Sequence, residues 1–195
     1  MNYMPNSSNC DFKILESLEL LLKSKLNSVP DPWHREEKIK KKSFTLKDGI
    51  EFPVGPGIYW LASKKRAAKN NRHPVYYIGK ANNSLHCRLK DKMKSDYNTS
   101  KKKNGKLWPS LRFYRDDETE VYYLPTKQLG KPADLELIML AAFYAKNKMN
   151  YPKNEDKWFP EGNTARRKAA EDLSEKEGYE EKLKQIGDKI FQKEM

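Results

Sequence analysis

Residues 54–80 open with Val54-Gly55-Pro56-Gly57-Ile58-Tyr59-Trp60-Leu61 and close with Pro74-Val75-Tyr76-Tyr77-Ile78-Gly79-Lys80. Both ends are apolar, rich in Tyr, Ile and Val, and bounded by Gly and Pro. That composition predicts two strands, over 52–61 and 75–80. Between them residues 63–73 carry Lys64, Lys65, Arg66, Lys69 and Arg72, a pattern expected of a basic loop or short helical turn. Each strand holds a tripeptide, Gly57-Ile58-Tyr59 in the first and Tyr77-Ile78-Gly79 in the second.

Toward the C-terminus, Asn83 or Ser84 can cap a helix in which Leu85, Leu89 and Met93 share one face. A lysine-rich loop over 95–106 follows, then residues 107–114 and a strand at 120–124. Gly130-Lys131-Pro132 is a stop signal. Residues 133–148 read as a helix with a stripe of Leu135, Ile138, Met139, Ala142 and Phe143. After Tyr151-Pro152 the composition turns polar, and 164–193 predict one or two charged helices, the second with Tyr179, Leu183, Ile186 and Ile190 as its apolar face. Toward the N-terminus, Ile14, Leu18, Leu21 and Leu22 lie at helical spacing within 11–27, with Asp11 as the expected N-cap. Pro30, Pro32 and the run 35–42 then read as a basic linker or surface strap. The expected architecture is an α+β core over 44–155, between an N-terminal helical extension with its linker (1–43) and a charged C-terminal helical extension (156–195).

The chain has 195 residues, with 39 Lys+Arg against 27 Asp+Glu and a formal net charge of +12. An excess of this size points to a polyanionic partner, nucleic acid before membrane. The longest apolar run, 138–145, is far short of the roughly 18–20 residues that span a bilayer, so no membrane partner is expected. The N-terminal residues lack the charged start and apolar core of a signal peptide, and the cytoplasm, or the nucleoid when DNA is bound, is the expected location. Two cysteines, Cys10 and Cys87, and three scattered histidines form neither a disulfide framework nor a transition-metal site.

Phosphodiester hydrolysis requires a deprotonated water, neutralisation of charge growing on the phosphate, and help for the leaving oxygen. A carboxylate that holds a divalent cation, a guanidinium fork and a tyrosine whose proton is loosened by nearby cations meet those needs. The core offers them in the order Tyr59, Tyr77, Lys80, Arg88 and Glu136. Glu136 also borders the apolar stripe of its helix, a costly place for a carboxylate without a partner.

On Gly57-Ile58-Tyr59, Tyr77-Ile78-Gly79-Lys80, Arg88, Glu136 and Asn150, the chain resembles the GIY-YIG nuclease superfamily over about residues 54–152. The resemblance implies a small central three-stranded antiparallel sheet flanked by helices, with the two tyrosines on adjacent strands. It implies one Mg²⁺ (or Mn²⁺) ion held by Glu136, Arg88 on the scissile phosphate, Tyr59 as general base and Tyr77 positioning water or phosphate. Lys80 would keep Tyr59 partly ionised, and Asn150 would orient part of the site. Many members carry a histidine one turn after the arginine, where this chain has Lys92, and this places more weight on Tyr59 as base. The spacer between the tripeptides is also longer than is common in the family.

Double-stranded DNA is the expected substrate. Lys92, Lys101, Lys102, Lys103, Lys106, Arg166 and Arg167 are candidate phosphate contacts, although the last two also stand among Glu171, Asp172, Glu175 and Glu177, which they would balance. The expected function is a metal-dependent DNA endonuclease of the restriction type, in which loops and extensions read a short site, with a homodimer as one way to cut both strands. The alternatives are a structure-directed repair or recombination nuclease, a mobile-element nuclease, and an inactive nucleic-acid-binding module.

Overall fold

The computed structural model describes residues 7–38, 41–63, 74–93, 119–147 and 164–191. In chain order these form helix α1 (Ser7–Lys23), strands β1 (Asn27–Pro30), β2 (Trp33–Lys38), β3 (Lys41–Leu46), β4 (Gly57–Ala62) and β5 (Val75–Ala81), helix α2 (Leu85–Met93), strand β6 (Glu120–Pro125), and helices α3 (Pro132–Asn147), α4 (Thr164–Ser174) and α5 (Glu180–Phe191).

Strand β4 is buried at all six positions because it runs through the middle of a sheet covered on both faces. The sheet has four antiparallel strands in the order β1-β6-β4-β5, where three were expected. The extra strand is β1, whose Val29 lies opposite Val121 and Pro30 opposite Glu120 of β6. Proline lacks a backbone N–H, so it is tolerated here at the end of an outer strand. The segment expected as a linker or strap instead contributes β2 and β3, an antiparallel pair in register from Trp33↔Leu46 to Lys38↔Lys41. Asp31 turns the chain between β1 and β2 with φ of 36°, a conformation that short polar side chains adopt more readily than most. Its carboxylate pairs with Lys47 Nζ at 2.7 Å, which ties the open end of β2–β3 to the end of β1.

Side chains alternate between the two faces of the sheet with period two. Ile58, Trp60, Ile78, Tyr122 and Leu124 join a core with α1, α3, α4 and α5; Tyr59, Leu61, Ala81 and Val121 join a second with Leu85 and Leu89 of α2, Trp33 and Phe52. Between Leu61 and Ala62 the β4–β5 register slips, so that Leu61 pairs with Tyr77 but Ala62 with Val75. This bulge explains why Val75, two residues from Tyr77, packs into the opposite core.

The first core is dense in aromatics. Trp60 stacks on Tyr122 at 5.4 Å, and Phe191 meets both Trp60 and Phe143 edge-on. Truncating so large a buried side chain as Trp60 to alanine costs about 3–5 kcal/mol. Leu18 and Leu21 of α1 and Leu183, Ile186 and Ile190 of α5 lie in the same core, so the helices outside residues 44–155 share their packing with the sheet. Helix α1 begins at Ser7, so Asp11 lies inside it rather than capping it. Gly187 lets α5 cross α3 closely, since a Cβ there would stand 2.6 Å from the Ala142 carbonyl oxygen. Among the described residues no helix is long and apolar enough to cross a membrane.

Candidate active site

The glycines of the two tripeptides are fixed by two different close approaches. A Cβ on Gly57 would lie 2.4 Å from Leu85 Cδ1 and 2.9 Å from the Leu124 carbonyl oxygen, so glycine allows α2 to rest directly on β4. A Cβ on Gly79 would lie 2.6 Å from Tyr77 Cε1 and 3.0 Å from Tyr59 Oη, so glycine opens the space that the two phenols occupy. Gly79 is the direct cross-strand partner of Tyr59. The isoleucines between, Ile58 and Ile78, point into the opposite core and anchor the strands from behind.

The two tyrosines stack with ring centroids 5.9 Å apart. Tyr59 is fully buried and Tyr77 half-buried. Helix α2 supplies the third member. Its first turn is held by Ser84 Oγ, which accepts from the Cys87 amide at 3.1 Å. The Leu85 and His86 amides donate to the carbonyls of Gly55 and Pro53. Ser84 is thus the N-cap, one of the two residues expected for it. With Leu85 and Leu89 buried, Arg88 stands on the solvent side of the helix, its guanidinium within electrostatic reach of both phenols.

Burial pushes the Tyr59 pKa well above the ordinary phenol value of 10.0, and the neighbouring Tyr77 adds to the rise; Arg88 opposes both. Arg88 itself has a raised pKa: burial, the largest single influence, acts to lower it, and the two phenols together outweigh that. The cation beside Tyr59 is therefore Arg88. Lys80, expected in that role, lies on the other side of the sheet.

There Lys80 Nζ stands 3.6 Å from Glu136 Oε2. Arg166, from the first turn of α4, forms an ion pair with the same oxygen. Glu136 is buried within α3, with Leu135, Ile138, Met139 and Leu140 buried beside it. Taking a carboxylate out of water is costly unless cations and hydrogen bonds replace its hydration, and two cations converge here. Lys80 has a lowered pKa, first because of burial, then because Arg166 repels its proton; Asp134, in the first turn of α3, works the other way. Since β5 is an edge strand and Gly79 and Lys80 are consecutive, the tyrosine–arginine group and the carboxylate group flank the same short length of chain from opposite faces.

Of the other candidate residues, Arg167 is paired with Glu171 one turn along α4 at 3.0 Å. The backbone of Lys92 lies in α2, and its side chain falls outside the description. Lys101, Lys102, Lys103, Lys106, Asn150 and the spacer residues 64–73 lie outside the described residues. Arg166, selected from sequence as a surface phosphate contact, belongs to the Glu136 group. No sequence signal links these two positions, because they sit on different helices with no shared periodicity.

Among the described residues no group of three or more His, Cys, Asp or Glu side chains could hold a metal ion. A soft or tightly caged metal therefore does not fit the described donor set. One buried carboxylate does fit a magnesium ion that keeps several waters and takes its remaining oxygens from a phosphate. Both cationic contacts to Glu136 use Oε2, and neither uses Oε1. No protein-family model, curated protein or solved structure matches the chain.

Proposed function

We propose that this protein is a divalent-cation-dependent endonuclease that hydrolyses phosphodiester bonds in double-stranded DNA, of the restriction type. The observation that carries the reading is the convergence of Tyr59, Tyr77 and Arg88 over Gly79. An ordinary strand tyrosine needs neither a second stacked phenol nor a guanidinium, and the glycine opposite is required only to make room for the pair. The net charge of +12 supports a polyanionic substrate.

Arg88 offers a planar, permanently charged fork to the scissile phosphate from the exposed side of α2. Tyr59, held protonated by its burial, stacks on Tyr77 and fixes the position of its ring. Tyr77, the less buried of the two, acts as base in its phenolate form, whose negative charge Arg88 stabilises, and becomes the neutral phenol when it takes the proton of the attacking water. This division differs from the sequence expectation in moving the base role from Tyr59 to Tyr77. A magnesium ion held by Glu136 would supply Lewis acidity at the phosphate. Lys80, fixed beside Glu136, orients the carboxylate and adds positive charge for the leaving oxygen.

Plasmid cleavage in Mg²⁺ tests the reading. Arg88→Ala and Tyr77→Phe should each cut at least about 10²-fold more slowly, the size of loss expected when one stabiliser of transition-state charge is removed; Tyr59→Phe should lose less. Uniform ends at a short palindrome would support the restriction type. Ends confined to branches or nicks would point to structure-directed repair, and a native protein that never nicks DNA would sink the enzyme reading.

A further inference from the structure

The pairing of Arg166 with Glu136 compensates the buried carboxylate but is not what holds helix α4 in place. Helix α4 is already anchored on the core by Ala170 and Ser174, both fully buried, and by Leu173 packed against it. The Arg166 side chain is 40% exposed and reaches the carboxylate from the solvent side, whereas Lys80 is 18% exposed and fixed on the sheet. Glu136, at 10% exposure, thus carries one rigid cation and one that can leave without moving a helix. With both in place the Glu136 charge is more than offset (+2 − 1), and Asp134 near Lys80 only brings the cluster to balance, so a divalent cation gains little net attraction there while both cations remain. A guanidinium is also the side chain best matched to phosphate, through two parallel hydrogen bonds.

We propose that Arg166 is an exchangeable counter-ion of the active site, resting on Glu136 until a backbone phosphate draws it away and thereby opening the carboxylate to the divalent cation as DNA arrives. The inference rests on the reading of Glu136 as the metal-holding residue. Cation and nucleic acid then load together, and the cation alone binds poorly. Arg166 acts as a positioning residue whose two partners, carboxylate and phosphate, exclude each other.

The test is Mn²⁺ binding to the whole chain without DNA, read from the electron paramagnetic resonance signal of free Mn²⁺. Arg166→Gln should bind Mn²⁺ at least about tenfold more tightly than the native protein, and Arg166→Lys, which keeps the charge, should stay near native. Adding Glu136→Gln to Arg166→Gln should abolish the gain. Arg166→Gln should also melt below the native protein and recover with Mn²⁺; if it fails to fold, Arg166→Met serves in its place. In DNA binding, the slope of log affinity against log salt should fall by about 0.9 in Arg166→Gln, the loss of one phosphate contact.

Equal Mn²⁺ affinity in native and Arg166→Gln proteins, with Glu136→Gln weakening both, overturns the exchange and leaves Glu136 as the metal residue. A gain that survives Glu136→Gln, or no Mn²⁺ binding by any variant, overturns both. An unchanged salt slope overturns the handover to phosphate.

Discussion

The two faces of the sheet bury polar groups by opposite means. On the α2 face, two phenols sit against each other under a single guanidinium, and Tyr59 tolerates complete burial because a phenol is neutral at ordinary pH. On the α3 face a carboxylate is held between two cations, because a buried charge needs compensation. One face therefore answers to high pH and to shape, and the other to the removal of charge. In the proposed reaction the neutral face handles the proton and the scissile phosphate, and the ionic face handles the metal.

The sharpest way to break this division is Glu136→Gln. Mg²⁺-dependent cleavage should fall by about 10³-fold or more, since a transition-state contribution near 4 kcal/mol corresponds to that factor. Stacking of Tyr59 on Tyr77, read by near-ultraviolet circular dichroism, should persist. Cleavage within tenfold of native would show that the ionic face is only structural.

Gly79→Ala should do the reverse. Its methyl would meet Tyr77 Cε1 at 2.6 Å and Tyr59 Oη at 3.0 Å. The rings must part, and cleavage should drop about 10²-fold, the effect of a misplacement on the order of 1 Å. The change in Mn²⁺ affinity produced by Arg166→Gln should be the same in this background, and an altered one would mean that the faces are coupled.

A third, smaller effect separates them by pH. Tyr59 has its pKa raised on folding, so the folded state holds a proton that the unfolded chain releases. That stability is complete below the ordinary value of 10.0 and is lost as pH climbs above it toward the folded value. Denaturant unfolding between pH 9 and about 11 should therefore show a fall in the native protein that Tyr59→Phe flattens. Parallel curves would put the alkaline loss elsewhere.

The smallest effect lies away from both faces. Lys182 pairs with Glu19 at 3.0 Å between α5 and α1, and this holds the fully exposed Glu19 carboxyl below its ordinary 4.5. Its contribution is present above that value and is lost as pH falls through the lowered one. Glu19→Gln should change the acid limb of stability only slightly, as exposed pairs do, and leave cleavage at neutral pH untouched.

Sequence periodicity located β5, β6, α2, α3 and the last two helices to within a few residues, because each has an apolar face that must be buried. It failed where tertiary pairing overrode local signals. Pro30, Pro32 and the charged run after them read as a linker, yet β6 supplies β1 with a partner and β3 supplies β2 with one. The first strand was expected from Phe52, but Pro53 and Pro56 keep 52–56 out of the sheet; Phe52 reaches its core from a loop, edge-on to Tyr123 at 5.5 Å. The gathering of Tyr59, Tyr77 and Arg88 was legible in their order. Which face each residue takes was less so: Lys80, one residue beyond Gly79, was paired with Tyr59 although alternation sends it to Glu136.

Gly57 has a genetic consequence. Because the Leu85 side chain of α2 rests on the bare backbone of β4 at Gly57, the reach of Arg88 to the phenols is calibrated by the bulk at two positions, 57 and 85. Gly57→Ala should lift the helix and starve the site of its guanidinium, and Leu85→Ala, harmful alone, should partly restore cutting when combined with it. The restoration stays partial, since the Leu124 carbonyl oxygen, 2.9 Å from the added carbon, cannot be trimmed away. A suppressor screen begun from Gly57→Ala would therefore converge on a residue that touches neither DNA nor metal.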